Sequence, residues 1–494
     1  MKSKLTKEKI FSRLLLAYFM TSPIFDLTFF YNRITTLIRI LILLAFVVIT
    51  FVMYPKCRKK IKYLLTFYLA MLGYLIISRF HAIGFNSNLV NLNYSFVSEA
   101  ATLLKLSMPF TILFLLKWQN VTKDDFFKVV NVWVVFIAGS IVVTNLIGYS
   151  LSSYTNEITR FSILSWNGNL SVDEIATKGF FTYANQVSVI LVTILPIIFY
   201  EFIHYKKRYI PCSILMVVIM LAMLMLGTRL STYGGLLILI GLIIGYFGYC
   251  FVFKKKISSY VGISIVVAIC WIAILPIAPC NSRMQEIESA KRSQNIGSMD
   301  SKKEGVGSAN IVVDTSDENL KYIEDNINKA TIGEQFYKEY YPYMYDMEFW
   351  NKVVEDQRKG VYIDYRKMEM MIAERLWEVD SRWSNFLFGI SNSRMQGVTN
   401  IERDFVLQYY SFGVIGSGLC LSFYIYMLIC LLKKILIKRS LWNLCLISSL
   451  GVYLLASYAC GNSLNFLATS IPIAFLMGGI FEDEKNDLNR EVST

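Results

Sequence analysis

The chain has 494 residues, of which 55% are hydrophobic and 17% charged, with a mean hydropathy of +0.47. Soluble domains carry about a quarter charged residues, so this composition excludes a soluble multidomain protein; 34 Phe and 31 Tyr exclude a disordered or fibrous chain. The formal net charge of +13 suggests a polyanion partner, but residues 281–404 hold 17 Lys and Arg against 22 Asp and Glu, a net of −5 that leaves +18 elsewhere.

That surplus lies in short connectors beside apolar runs, where Lys and Arg mark the cytoplasmic side of a membrane protein. No nucleic-acid partner is expected. A bilayer core takes about 20 helical residues, and twelve runs approach that length: 10–25, 33–54, 61–79, 97–116, 127–148, 183–203, 210–227, 232–252, 258–278, 405–432, 441–460 and 466–481. The basic start at residues 1–9 is followed by no small-residue cleavage site, so the first run is expected to be an uncleaved span. Basic clusters at Lys56 to Lys62, Lys206 to Arg208, Lys254 to Lys256 and Lys433 to Arg439 fall between spans on one side. They place both termini in the cytoplasm. The expected class is an all-α polytopic membrane protein of about twelve transmembrane helices in the plasma (inner) membrane. Nine helices precede a large extracytoplasmic loop at 280–404, three follow at 405–481, and a cytoplasmic tail occupies 482–494.

The loop far exceeds the few residues of an ordinary connection. From Ser293 to Ser316 it is rich in Ser, Gly, Asn and Lys and reads as flexible. From Asn319 to Asn385 it shows helical periodicity with aromatic anchors. A second loop, 149–182, also exceeds a turn. The nine cysteines form no CxxC, and with two histidines in the chain no zinc or haem spacing exists. No Asp-x-Asp occurs in the outer loops, so no metal and no cofactor is expected.

Charged groups at membrane depth are costly and mark candidate sites. Arg229, within Gly227-Thr228-Arg229-Leu230-Ser231, joins two apolar runs with almost no linker. It reads as a snorkelling helix end or, equally, as a guanidinium for phosphate oxygens. Lys105 is a second intramembrane cation, pairing with Glu99 or supporting packing. In the large loop, Tyr340 to Trp350 is dense in aromatics and carries Asp346 and Glu348. Such a surface suits sugar rings, with Tyr343, Trp350 and the two carboxylates as contacts, or it is an interfacial aromatic belt. Glu374-Arg375-Leu376-Trp377 and Arg382-Trp383 set cations near aromatics. Glu402-Arg403-Asp404 precedes an apolar run and reads as a charged helix cap or as a general base beside a phosphate-binding arginine.

In order and placement these segments resemble the O-antigen polymerase/O-antigen ligase superfamily, the Wzy-like membrane glycosyltransferases of GT-C-like fold. The resemblance rests on Thr228-Arg229-Leu230-Ser231, Arg375-Leu376-Trp377, Leu387-Phe388-Gly389, Glu402 to Gly416 with its Phe412-Gly413-Val414-Ile415-Gly416, and Gly179 to Asn185. Each motif is short, and together they cover most of the chain. Ligases of the superfamily typically carry a histidine in the loop near the last motif. Here Glu402 and Asp404 stand in that place, which favours the polymerase branch of capsule, exopolysaccharide or O-antigen assembly.

The resemblance implies a polyprenyl-diphosphate-linked oligosaccharide substrate at the outer leaflet. A hydroxyl of one repeat attacks the anomeric carbon of the growing chain, with inversion and loss of polyprenyl diphosphate. Glu402 or Asp404 would be the base, with Arg229 and Arg375 stabilising developing charge. Arg403, Arg382, Trp377, Asn185 and Lys105 are further substrate contacts, and a flippase and a chain-length regulator are the implied protein partners. The alternatives are ligase-type transfer to another acceptor and a twelve-span lipid-linked oligosaccharide flippase. Transporters are often built of repeats, and no internal repeat is visible here.

Overall fold

The computed structural model describes residues 7–28, 33–85, 93–119, 121–155, 157–162, 175–205, 208–285, 288, 316–327, 332–380, 382–398, 401–461 and 463–482. Ten helices among them are long and apolar enough to cross a membrane, and two shorter apolar helices, Ile210–Leu226 and Leu467–Phe481, bring the apolar segments to the twelve expected. The protein is an all-α polytopic membrane protein. Its strands, among the described residues, are one antiparallel pair, β1 (Ser150–Leu151) and β2 (Ile158–Thr159). The expected flexible segment lies outside the described residues from Ser293 to residue 315.

The chain falls into two units. The first comprises residues 1–70, 103–282 and 419–494; the second comprises 71–102 and 283–418. The second is therefore larger than the loop expected from sequence, taking in residues 71–102 and the start of the helix that follows the loop.

The first unit holds α1 (Lys7–Leu27), α2 (Arg33–Met53), the start of α3 (Ile61–Ile83), most of α4 (Phe96–Trp118), and α5 (Lys123–Ile147). It continues with α6 (Ala184–His204), α7 (Tyr209–Leu226), α8 (Gly235–Val252) and α9 (Val261–Ile274). At its centre is α6, where every residue from Gln186 to Ile203 is buried. Buried on all sides, it presents no face to solvent or lipid, and α5, α7 and α8 all pack on it. By contrast α2 leaves Leu37, Leu41, Val48 and Val52 exposed, the pattern of a lipid-facing helix. The start of α5 is fixed by a capping box, in which Thr122 accepts from the Asp125 amide and Asp125 from the Thr122 amide.

The second unit holds α10 (Ser316–Asn326), α11 (Met347–Arg358), α12 (Tyr365–Val379), α13 (Ser384–Phe388), α14 (Asn392–Val398) and the first part of α15 (Asp404–Lys438). The helical periodicity expected between Asn319 and Asn385 is thus realised as separate short helices. Phe336, Tyr337, Trp350, Val353, Ile372 and Leu376 form its core. The rest of α15 returns to the first unit, where α16 (Leu441–Ala459) and α17 (Leu467–Met477) also pack on α6.

Two glycines set the geometry of the second unit. Gly389 (φ +72°) ends α13, and Gly413 (φ +61°) interrupts α15. Their ψ values of −177° and −170° belong to a region essentially closed to other residues. A Cβ on Gly389 would collide with the Ser411 backbone, and one on Gly413 with the Leu387 backbone. The two chain segments cross backbone to backbone. Ile390 N donates to Tyr410 O at 2.8 Å and Ser391 N to Ser411 O at 3.0 Å. Tyr74 Oη then donates to the carbonyls of Phe412 (2.8 Å) and Phe388 (3.1 Å). The Leu-Phe-Gly and Phe-Gly segments picked out from sequence are the two halves of one crossing.

Candidate active site

The candidate site of the second unit is organised along α12. Asp364 caps this helix by accepting from Lys367 N at 2.9 Å, and Ile372, Ala373 and Leu376 bury one side of it. Arg366, Glu369, Ala373 and Trp377 follow i, i+3, i+7 and i+11, so they share a stripe along the helix. That stripe meets the start of α15 at both of its ends.

At the N-terminal end Arg366 Nε donates to Glu402 Oε2 at 2.6 Å. The Glu402 amide donates to Glu369 Oε2 at 3.3 Å. Glu369 is 1% exposed, and its other oxygen has no hydrogen-bond partner among the described residues. Burial, with the Glu402 charge adding to it, pushes the Glu369 pKa up to about 8. Asp404 is fully buried in the first turn of α15, where the helix N-terminus favours negative charge. Arg403 lies half-buried, its Nη1 3.4 Å from Met370 Sδ. Three carboxyl groups, two of them buried, therefore gather where the sequence indicated two.

At the C-terminal end of α12, Arg375 reaches residues nearly thirty positions earlier in sequence. Its Nε donates to Asp346 Oδ2 at 2.7 Å and its Nη2 to Asp346 Oδ1 and Glu348 Oε2, both at 3.1 Å. Nη1 donates to Glu378 Oε2 at 3.4 Å. Asp346 also caps α11 through Phe349 N and accepts from Tyr341 Oη at 2.8 Å. Burial opposes its charge, yet hydrogen bonds from Arg375, Tyr341 and Phe349 N hold its pKa below the usual carboxylate range. The Arg375 fork is filled by carboxylates, which makes it an organiser of this cluster. The aromatic stretch differs from the surface its composition allowed. Tyr343 is buried and Trp350 fully so, with Trp350 Nε1 donating to Tyr341 O at 2.8 Å. These rings build the core of the unit. Trp377, half-buried against Tyr409 and Tyr410 (centroids 5.0 and 5.1 Å), and Tyr410 itself stay partly accessible.

Arg382 is held in a bidentate pair with buried Asp380 (2.8 and 2.7 Å) and donates to His81 O at 3.0 Å. Asn385 bridges Asp380 and His81 at 2.9 Å each. Arg394, which sequence gave no reason to single out, is buried over the rings of Phe85 (4.5 Å) and Tyr94 (5.7 Å) and donates to Ala82 O at 2.9 Å. Glu99 accepts from Ser393 N at 2.6 Å. Arg366 and Glu369 were missed as well. Their i, i+3 spacing was visible, but their partner Glu402 lies more than thirty residues away.

In the first unit Arg229 is exposed and opens a π-helical turn, Leu230–Gly234. Gly227 (φ +65°) ends α7, and Tyr154 Oη donates to its carbonyl at 2.5 Å. Thr228 Oγ1 accepts from Ser231 N at 3.1 Å and is bonded to Ser188 Oγ at 2.8 Å. The hairpin backbone is thereby fixed while the guanidinium stays accessible. Lys178, buried in the 149–182 loop, donates to Thr155 O at 3.4 Å, and burial lowers its pKa to about 8. Asn185 is half-buried in the first turn of α6, and Lys105 is half-buried within α4. A further pair escaped sequence reading: Asp26 and Arg39, both buried, form an ion pair closed by Ser22 and the Tyr18 ring.

Twelve apolar helical segments and a second unit rich in partnered carboxylates define a multi-span membrane protein with chemistry-bearing polar structure. The chain belongs to the family described as O-antigen ligase like membrane protein, which it matches over residues 8–486. No curated protein matches it. Family membership makes it a membrane glycan-processing enzyme of the glycosyltransferase type, acting on lipid-linked oligosaccharide.

Proposed function

We propose that this protein is a polysaccharide polymerase, joining polyprenyl-diphosphate-linked oligosaccharide repeats at the outer leaflet by inverting transfer. The observation that carries this reading is the carboxyl cluster at the start of α15, where Arg366 holds Glu402 at 2.6 Å beside Glu369 and buried Asp404. A glycosyl transfer from a diphosphate needs no general acid, because the leaving group is already good. It needs a base for the acceptor hydroxyl and a cation for the departing charge. Glu402 is the proposed base: it is partly accessible, and Arg366 orients it. Asp404 ranks close behind. Arg229 is the proposed diphosphate ligand, since its backbone is fixed and its fork is free to meet phosphate oxygens.

The same reading puts the 280–404 loop outside the plasma membrane with both termini in the cytoplasm. External labelling of a Ser308→Cys variant in a cysteine-free background supports this, and labelling only after permeabilisation contradicts it. A flippase and a chain-length regulator are the proposed protein partners. The family description favours a second reading, ligase-type transfer to another acceptor.

Purified protein in liposomes with a lipid-linked repeat separates the readings. A ladder of chain lengths supports polymerisation, a single addition means ligase-type transfer, and unmodified lipid moved between leaflets means transport. Arg229→Lys should insert normally yet lose most activity, because an ammonium cannot reproduce the planar fork. Full activity in that variant would return Arg229 to a helix-end role.

A further inference from the structure

The second unit carries a cleft of about 320 Å³ lined by Glu374, Trp377, Glu378 and Tyr410. It is a shallow depression, open to its surroundings on one side. Its wall is made by the C-terminal half of α12 and the ring of Tyr410 on α15. Trp377 is held against Tyr409 and Tyr410, so its indole is fixed in place. The enclosed indole N–H of Trp377 has no hydrogen-bond partner among the described residues. Glu374 and Glu378, one helical turn apart, both expose their carboxylates. Fixed aromatic faces with acceptors at the rim are what a sugar ring requires. Its C–H faces stack on the rings, and its hydroxyls donate to carboxylates.

The charge around the cleft narrows the ligand further. The cation in contact with the rim, Arg375, is shared among Asp346, Glu348 and Glu378. Together with Glu374 that makes four carboxylates against one guanidinium. A field of this sign repels uronates and phosphates and leaves uncharged rings unaffected.

We propose that the Glu374–Trp377–Glu378–Tyr410 cleft is a glycan subsite that takes an uncharged sugar ring, a neutral hexose or N-acetylhexosamine, and rejects acidic sugars. The subsite rests on the reading of the chain as a glycan-processing enzyme. It deepens that reading by naming the class of ring the protein holds.

The test reads sugar binding apart from transfer. Full-length protein in nanodiscs is titrated with chitotriose and with trigalacturonate, and ligand-observed saturation-transfer NMR reports contact. Chitotriose should bind and trigalacturonate should bind at least ten times more weakly. Trp377→Ala should abolish the chitotriose signal, and Trp377→Phe, which keeps a ring for packing, should retain most of it. Glu374→Gln with Glu378→Gln, both exposed and without risk to the fold, should raise trigalacturonate binding toward that of chitotriose. The proposal is overturned if chitotriose gives no signal, if trigalacturonate binds as well as chitotriose, or if Trp377→Ala binds chitotriose normally. A protein that binds chitotriose in this way but yields no ladder from lipid-linked repeats keeps the subsite and loses the polymerase reading. The converse result keeps the polymerase and loses the subsite.

Discussion

The two units treat buried charge in opposite ways. In the first, Asp26 and Arg39 are each almost fully buried and meet one for one, with Ser22 accepting from Arg39 and the Tyr18 ring beside the guanidinium. Glu201, buried in α6, likewise receives Arg208 at 3.0 Å and Asn131 at 3.1 Å. In the second, Arg375 stands among three carboxylates, and Glu369 is buried with its nearest charged neighbour, Glu402, already occupied by Arg366. Charge that only supports a fold tends to be balanced, because an uncompensated buried ion costs several kcal/mol. A buried carboxyl pushed toward its neutral form, as Glu369 is, marks a candidate functional site.

The comparison is sharpened first by breaking the balanced pair. Asp26→Asn should destabilise the detergent-purified protein by about 3–5 kcal/mol, the usual cost of orphaning one partner of a buried ion pair. Replacing both residues, Asp26→Leu with Arg39→Met, should restore most of that loss. If the single variant melts like the wild type, the pair is not balanced in the way described.

Next is the glycine crossing on which the carboxylate-rich unit depends. Gly413→Ala should cost about 3 kcal/mol or more, since it adds a Cβ in a conformation reserved for glycine and against the Leu387 backbone. Limited proteolysis should then cut within residues 316–398, while insertion of the spans persists. Gly418→Ala, five residues on with open space at its Cβ, should leave proteolysis unchanged.

A smaller effect tests the unbalanced carboxyl. The folded pKa of Glu369, about 8, lies above the ordinary value of about 4.3. The folded state therefore holds a proton that the unfolded state releases. Stability from this group is complete below about pH 4 and is lost as pH rises through 8. Glu369→Gln, a permanent mimic of the protonated form, should flatten that slope. An unchanged slope would mean that Glu369 is charged in the fold.

Much of the fold was legible because hydrophobicity is a local property. The twelve apolar runs and the tight hairpin at Gly227 to Ser231 are written in neighbouring residues. The site was legible only in part. Glu402 and Asp404 stand out beside an apolar run, and Arg375 beside Trp377, but that Arg375 meets Asp346, or Arg366 meets Glu402, depends on chain crossings of about thirty residues. The Tyr340–Trp350 stretch reads alike as surface or core, since short aromatic runs carry no clear period. Only packing shows Trp350 inside and Trp377 beside a cleft. The glycines 389 and 413 announced themselves as motifs, yet their reason, one backbone lying on another, exists only in three dimensions.

The central claim is that glycosyl transfer depends on the carboxyl cluster at the start of α15, and single-turnover transfer by Glu402→Gln tests it most directly. With lipid-linked repeat bound in liposomes, this variant should turn over about 10²–10⁴ times more slowly while binding donor as the wild type does. Asp404→Asn should lose far less. Normal polymer formation by both neutral variants would contradict the account and move the base elsewhere, with Asp346 and Glu348 next to be tested.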